Sequence, residues 1–299
     1  MLVGAVAQSR TFVRDQPVEV LRLVAAVGIV LFHAGAATGI AGAGLVIFIL
    51  LTTAMEAGPN WSRPRSVTTL AAGLLIPWAL WWLFYGAVDL ARGESLLGSG
   101  SPAGGILYGT AAHLWYLPFM FAVLVAVGVA KARLPRMAVL LISGCAAIGL
   151  VGLAGLWRPW TLALGAPWAQ YGDALPIVFA GLCIGAAVRL ETRVLAGAML
   201  VCAAVASALT SHIAAAVPLL AGLIPTLWLL LHPHRPSWNI EWLSRCAFGV
   251  YLMHPFWLSA LGPVIPDAPM LRGLLAFAIS LAVTWGIRRY TPSVARWIV

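Results

Sequence analysis

Ten apolar runs follow one another along the chain, broken only by short stretches that carry charge, Pro or Gly. Their approximate extents are 18–38, 42–57, 67–89, 113–130, 137–156, 174–190, 194–210, 213–231, 244–261 and 271–289. A helix needs roughly 20 apolar residues to cross a bilayer, so ten runs in 299 residues leave no room for a soluble catalytic domain. Soluble domains carry about 25% charged residues; this chain carries 9%, with 62% hydrophobic residues and a mean hydropathy of +0.96. The 18 basic and 9 acidic side chains cannot cover the surface of a water-soluble protein of this size. The expectation is an all-α polytopic membrane protein of about ten transmembrane helices. Residues 1–17 and 291–299 would be short cytoplasmic tails flanking a single transmembrane domain over 18–290.

The net charge of +9 follows the predicted topology, so it gives no reason to expect a nucleic-acid partner. With the N-terminus inside, 15 basic residues fall on inner segments and only Arg92, Arg158 and Arg272 on outer ones. That asymmetry predicts an even number of spans with both termini cytoplasmic. Trp81, Trp82, Trp115, Trp157, Trp160 and Trp168 fall at outer helix ends, and Trp61, Trp238, Trp242 and Trp297 at inner ones, as in an aromatic belt. The first run has a long polar lead and embeds Arg22 and His33, which predicts a retained helix instead of a cleaved signal peptide. Residues 101–112 read as a loop or re-entrant segment, and 157–173 as an aromatic outer loop suited to stacking on a sugar ring. The four cysteines lack metal-type spacing and read as small buried residues.

Ionisable groups within the bilayer are costly and invite a functional reading. The first helix carries Glu19, Arg22 and His33. Glu19 and Arg22 are i,i+3 neighbours, which also suits an ordinary ion pair. Eleven residues on, His33 sits about 16 Å deeper and within about 20° of the same helix face as Arg22. His113 opens the fourth run at the outer interface. His254 lies mid-span in the ninth, directly before Pro255, where a helix break is expected and an imidazole would satisfy freed backbone groups. His232 and His234 form an H-x-H pair without a third ligand, so no metal site is expected. Nucleotide-binding glycine loops, H-E-x-x-H and G-x-S-x-G are absent. Five residues after His33 stands Thr38 and after His113 stands Pro118, so neither opens an H-x4-D box. What remains is an imidazole acting as general base, with inner-face arginines for an anionic co-substrate.

Four segments, in order, resemble the acyltransferase-3 family of bacterial membrane acyltransferases. Glu19-x-x-Arg22 followed by His33 is similar to that family's opening D-G-L-R…H, and HLWYL at 113–117 to its H-L-W-F-L. PIVFAGLCIGAAVRL at 176–190 looks like its Phe–Gly–Arg helix, and FGVYLMHP at 248–255 is similar to F-G-I-Y-L-x-H-P. The resemblance implies transfer of an acyl group, often acetyl, from a cytoplasmic thioester such as acyl-CoA to a hydroxyl of an envelope carbohydrate, glycolipid or small glycoside. It implies a bacterial inner-membrane location and acyl-CoA as a co-substrate, with no bound cofactor. It makes His33 the catalytic imidazole with Arg22 as partner. Glu19, Arg63, Arg65, His113, Trp115, Tyr251 and His254 are then expected at the substrate or donor site.

Two departures from the family pattern stand out. The family's F-F-x-L-S-G reads IFILLT at 47–52, and the basic cluster before the third helix is reduced to Arg63 and Arg65, which leaves Arg133 or Arg136 as substitutes in donor binding. A transporter or flippase for a glycolipid or small metabolite is the rival class. The absence of repeats and of inverted broken helices weighs against it.

Overall fold

The computed structural model describes residues 16–96, 102–190, 192–209, 213–231 and 240–298, and among these it contains helices and no strand. The first half comprises α1 (Gln16–His33), α2 (Thr38–Ala41), α3 (Ala43–Ala57), α4 (Val67–Ala91), α5 (Pro102–Tyr108), α6 (Tyr116–Arg133) and α7 (Arg136–Gly152). The second comprises α8 (Ala154–Leu164), α9 (Trp168–Leu190), α10 (Arg193–Leu209), α11 (Ile213–Leu231), α12 (Glu241–Ser244), α13 (Ala247–Leu261), α14 (Pro269–Tyr290) and α15 (Pro292–Ile298). Local chemistry sets many of the ends. The Ser66 hydroxyl caps α4 by accepting the Thr69 N–H at 3.1 Å. Pro opens α5, α14 and α15, where its missing N–H costs nothing.

Each of the ten apolar runs forms a helix. Among the described residues, six helical stretches are long and apolar enough to cross a membrane: α1, α2 with α3, α4, α6, the first twenty residues of α9, and α14. A seventh arises if α7 and α8, bent by 77° at their junction, make one broken span; α10, α11 and α13 are shorter apolar helices. Polarity is distributed inside out. Val194 is 88% exposed and Leu209 77%, with Leu83, Leu153 and Leu156 also outward. Glu19, Glu56, His113 and His254 are buried among the helices. Such an apolar exterior is stable only against lipid.

α3 is the central helix, packed on α1, α9 and α11. Its approach to α9 is close because α9 presents glycines there. A side chain at Gly181 would meet the Leu50 backbone at 2.9 Å, and one at Gly185 would meet the Ala54 backbone. This is the small-residue contact through which membrane helices gain dispersion energy.

Several local expectations change. Residues 157–173 are the body of α8 and the start of α9, not a loop, and within 101–112 the described part is a short helix, 102–108, followed by turns. Pro255 does not break its helix; α13 runs through it. The last residues, read as a tail, form α15. It doubles back along α14 and α4, so that Trp81 Nε1 donates to the Ile298 carbonyl at 2.9 Å. Trp115 belongs to the buried core and not to an interfacial belt. His232 and His234 lie outside the described residues.

Candidate active site

Three histidines distant in sequence meet in one cluster. The His33 ring lies 5.1 Å from that of His254 and 6.5 Å from that of His113, and the His113 and His254 rings are 5.2 Å apart. Each comes from a different element: the last residue of α1, the turn before α6, and the middle of α13. His33 is exposed, whereas His113 and His254 are buried.

Pro255 explains the setting of His254. A proline has no N–H, so the Tyr251 carbonyl four residues earlier loses its helical donor. His254 Nδ1 lies 2.8 Å from that oxygen and 3.3 Å from the Val250 carbonyl. Both partners are acceptors only, so Nδ1 carries the proton and Nε2 carries the lone pair. Nε2 has no hydrogen-bond partner within the protein, and neither ring nitrogen of His113 has one. The Tyr85 hydroxyl donates to the next carbonyl, Leu252, at 2.7 Å.

His113 is held through its backbone. The Tyr251 hydroxyl donates to the His113 carbonyl, and Thr110 Oγ1 donates to the Trp82 carbonyl at 2.8 Å. The chain enters this turn at Gly109, whose φ is +89° and whose Cβ position lies 2.7 Å from Leu114, a place only glycine fills without strain. His33 is fixed from the other side. Arg272 donates to the Ala34 carbonyl at 2.9 Å, tying the end of α1 to α14.

Two adjoining cavities lie in this region, and His33 and His113 line the larger one only. The larger, about 460 Å³, is lined by His33, His113, Trp115, Tyr108, Gln170 and Asp173 among others. Gln170 Oε1 is buried there without a partner, and Asp173 receives two hydrogen bonds from Arg158, the shorter at 2.9 Å. The smaller, about 250 Å³, is lined by Thr52, Arg65, Thr69, Met120 and Phe248 among others. Ile29, Leu45, Tyr116 and Tyr251 line both, so the cavities share a wall.

The expected site residues therefore divide. His33, His113, Trp115 and Tyr251 line the larger cavity, and His254 stands behind the first two as part of the cluster. Arg65 and Tyr251 line the smaller cavity. Arg22 and Glu19 line neither; they pair at 3.0 Å, and buried Glu19 also accepts from the Ser244 hydroxyl. Arg63 is exposed and lines neither cavity. Sequence reasoning missed Gln170 and Asp173, which sat in a presumed loop. It also missed Glu56, although a carboxylate inside an apolar run is itself a signal. Among the described residues no group of three His, Cys, Asp or Glu side chains is arranged to hold a metal ion.

Three clustered imidazoles beside a cavity, inside a bundle of apolar helices long enough to cross a membrane, define a class: an all-helical, multi-pass membrane protein with a histidine-lined cavity. A family model described as an acyltransferase domain matches residues 16–289, nearly the whole chain. The chain belongs to the acyltransferase-3 family and is a multi-pass membrane acyltransferase. No curated protein and no solved structure matches it.

Proposed function

We propose that the protein transfers an acyl group, acetyl in the simplest case, from acyl-CoA to a hydroxyl of an envelope carbohydrate, glycolipid or small glycoside. The observation that carries this reading is the pairing of cavities: one has an arginine in its lining, the other is aromatic and polar and lined by His33 and His113, and the two share the wall of Ile29, Leu45, Tyr116 and Tyr251. The donor enters from the cytoplasmic side with its phosphates near Arg65, and its pantetheine arm follows the smaller cavity. The acceptor occupies the larger one, among Trp115, Tyr108, Gln170 and Asp173. In this reading the chain spans the bacterial inner membrane ten times, the short helices included, with both termini cytoplasmic.

His33 is the general base, being the histidine of the cluster that is both exposed and cavity-lining. It takes the proton of the acceptor hydroxyl as that oxygen attacks the thioester carbonyl carbon. The tetrahedral intermediate then expels the CoA thiolate, and the His33 imidazolium returns the proton to the sulfur. The thioester bond breaks, an ester forms and no net proton is consumed. His254, locked with its lone pair on Nε2, can accept an N–H from a neighbouring ring and so orient it, as a third group orients a catalytic base.

The test is direct. Purified protein in nanodiscs, given acetyl-CoA and a panel of glycosides, should release free CoA in step with acetylated glycoside. Release of neither product, with a protein that instead moves a labelled glycolipid across the bilayer, would replace this reading by the transporter class.

A further inference from the structure

Glu56 lies at the inner end of α3 and is only 3% exposed. Its Oε2 accepts from Arg65 Nη2 at 2.7 Å, and its Oε1 accepts from Lys131 Nζ, also at 2.7 Å. Lys131 Nζ donates as well to the Asn60 carbonyl at 2.9 Å. Three segments meet at this one carboxylate: α3, the connection to α4, and the last turn of α6. Lys131 is the only lysine in the chain, and its side chain is 4% exposed against 42% for Arg65.

Burying a lysine is expensive, and a tie between two helices is made more cheaply by apolar packing. The charge arithmetic points to what the lysine adds. Two cations share one carboxylate, so the cluster keeps one positive charge, and Arg65 is the member that reaches the smaller cavity. The hydrogen bonding points the same way. An arginine facing a lone carboxylate closes into a two-bond fork. Here Lys131 occupies Oε1, and Arg65 makes a single hydrogen bond to Oε2 among the described residues. The other N–H donors of its guanidinium remain available to a second anion.

We propose that Lys131 is a positioning residue for donor recognition: by occupying one oxygen of Glu56 it leaves Arg65 with part of its charge uncompensated, fixed and open towards a phosphate-bearing ligand in the smaller cavity. This rests on the reading of that cavity as the acyl-CoA site. Neither Arg133 nor Arg136 is needed for it; Arg133 is exposed, and Arg136 lies over the Trp61 ring at 4.8 Å. Without Lys131, Glu56 would take both arms of Arg65 in a fork and balance its charge, leaving less of it for a second anion.

The experiment measures CoA binding by calorimetry on the intact purified protein, with acyl transfer followed in parallel. Lys131→Met should weaken CoA binding about tenfold, or about 1.4 kcal/mol. The loss should appear in KM more than in kcat. Lys131→Arg, which keeps the charge, should stay near wild type. The double variant Glu56→Gln/Lys131→Met removes the competing carboxylate as well and should recover CoA binding relative to Lys131→Met alone. A purely structural tie predicts the reverse, since the double variant lacks more of the tie. If Lys131→Met fails to fold, the double variant is compared with wild type instead: CoA affinity within about threefold of wild type supports the proposal, and a loss of about tenfold or more overturns it. Wild-type affinity in folded Lys131→Met, or a double variant weaker than the single, overturns the proposal. A wild-type protein that binds no CoA overturns the donor reading itself, and this inference with it.

Discussion

The imidazole of His254 is anchored to the carbonyl of Tyr251, its Nδ1 lying 2.8 Å from the oxygen that Pro255 leaves without a helical donor. The proline thus has a use at this point: it creates an acceptor that fixes a ring orientation without supplying any side chain to the site. Pro255→Ala should restore the helical hydrogen bond and release the ring. The variant should fold at least as well as wild type, yet lose acyl transfer by on the order of tenfold, within the range of mispositioned catalytic groups. Thermal unfolding and steady-state kinetics on the same preparation check both halves. Undiminished kcat would show that the anchor has no part in the reaction.

His33 is expected to carry the chemistry. General bases contribute about 10²–10⁴-fold, so His33→Gln should lose at least about 100-fold in kcat while retaining CoA binding. Glutamine keeps hydrogen-bonding capacity and approximate size but takes no proton at neutral pH. A folded His33→Gln protein working at the wild-type rate would pass the role to His113, the other histidine lining the larger cavity.

Arg65 and Arg63 should behave differently although they are two residues apart. Arg65 lines the smaller cavity and Arg63 does not. Arg65→Ala should raise the KM for acyl-CoA about tenfold or more with a smaller fall in kcat, the pattern expected when uniform binding is removed. Arg63→Ala should change KM by less than about threefold. Equal effects would mean that the donor's charged end is held at the surface of the connection and not at the cavity.

Topology is checked by reporter fusions. The basic residues concentrate on alternate segments, so fusions at Gly98 and Gly165 should report outside and a fusion after Val299 inside. A C-terminus found outside would mean that a span has been miscounted and that the even-numbered topology fails.

The residues differ in how legible they were. Membrane insertion followed from hydropathy, because lipid exposure is imposed on each helix separately and leaves its mark on each run. His33, His113 and His254 stood out as imidazoles within or at the ends of apolar runs, and the Glu19–Arg22 pair followed from helical spacing alone. The continuity of α13 through Pro255 was not legible. Whether a proline breaks a helix depends on who satisfies the freed carbonyl, and here the partner is the adjacent imidazole. The helical form of the last residues was not legible for a similar reason: α15 is held by Trp81 and by apolar contacts to α14, which a nine-residue segment does not show by itself.

Composition, periodicity and charge asymmetry are sums over near neighbours, and they are enough to make this chain an all-helical membrane protein with histidines in its apolar runs. They say nothing of which helices touch. That depended on the glycines of α9 admitting α3, on Arg272 tying α1 to α14, and on the Tyr251 hydroxyl reaching the backbone of His113. Only those contacts between elements far apart in the chain bring three imidazoles together beside one cavity. Only they seat the single lysine on the carboxylate that holds Arg65, because a hydrogen bond depends on distance in space and not on separation along the chain.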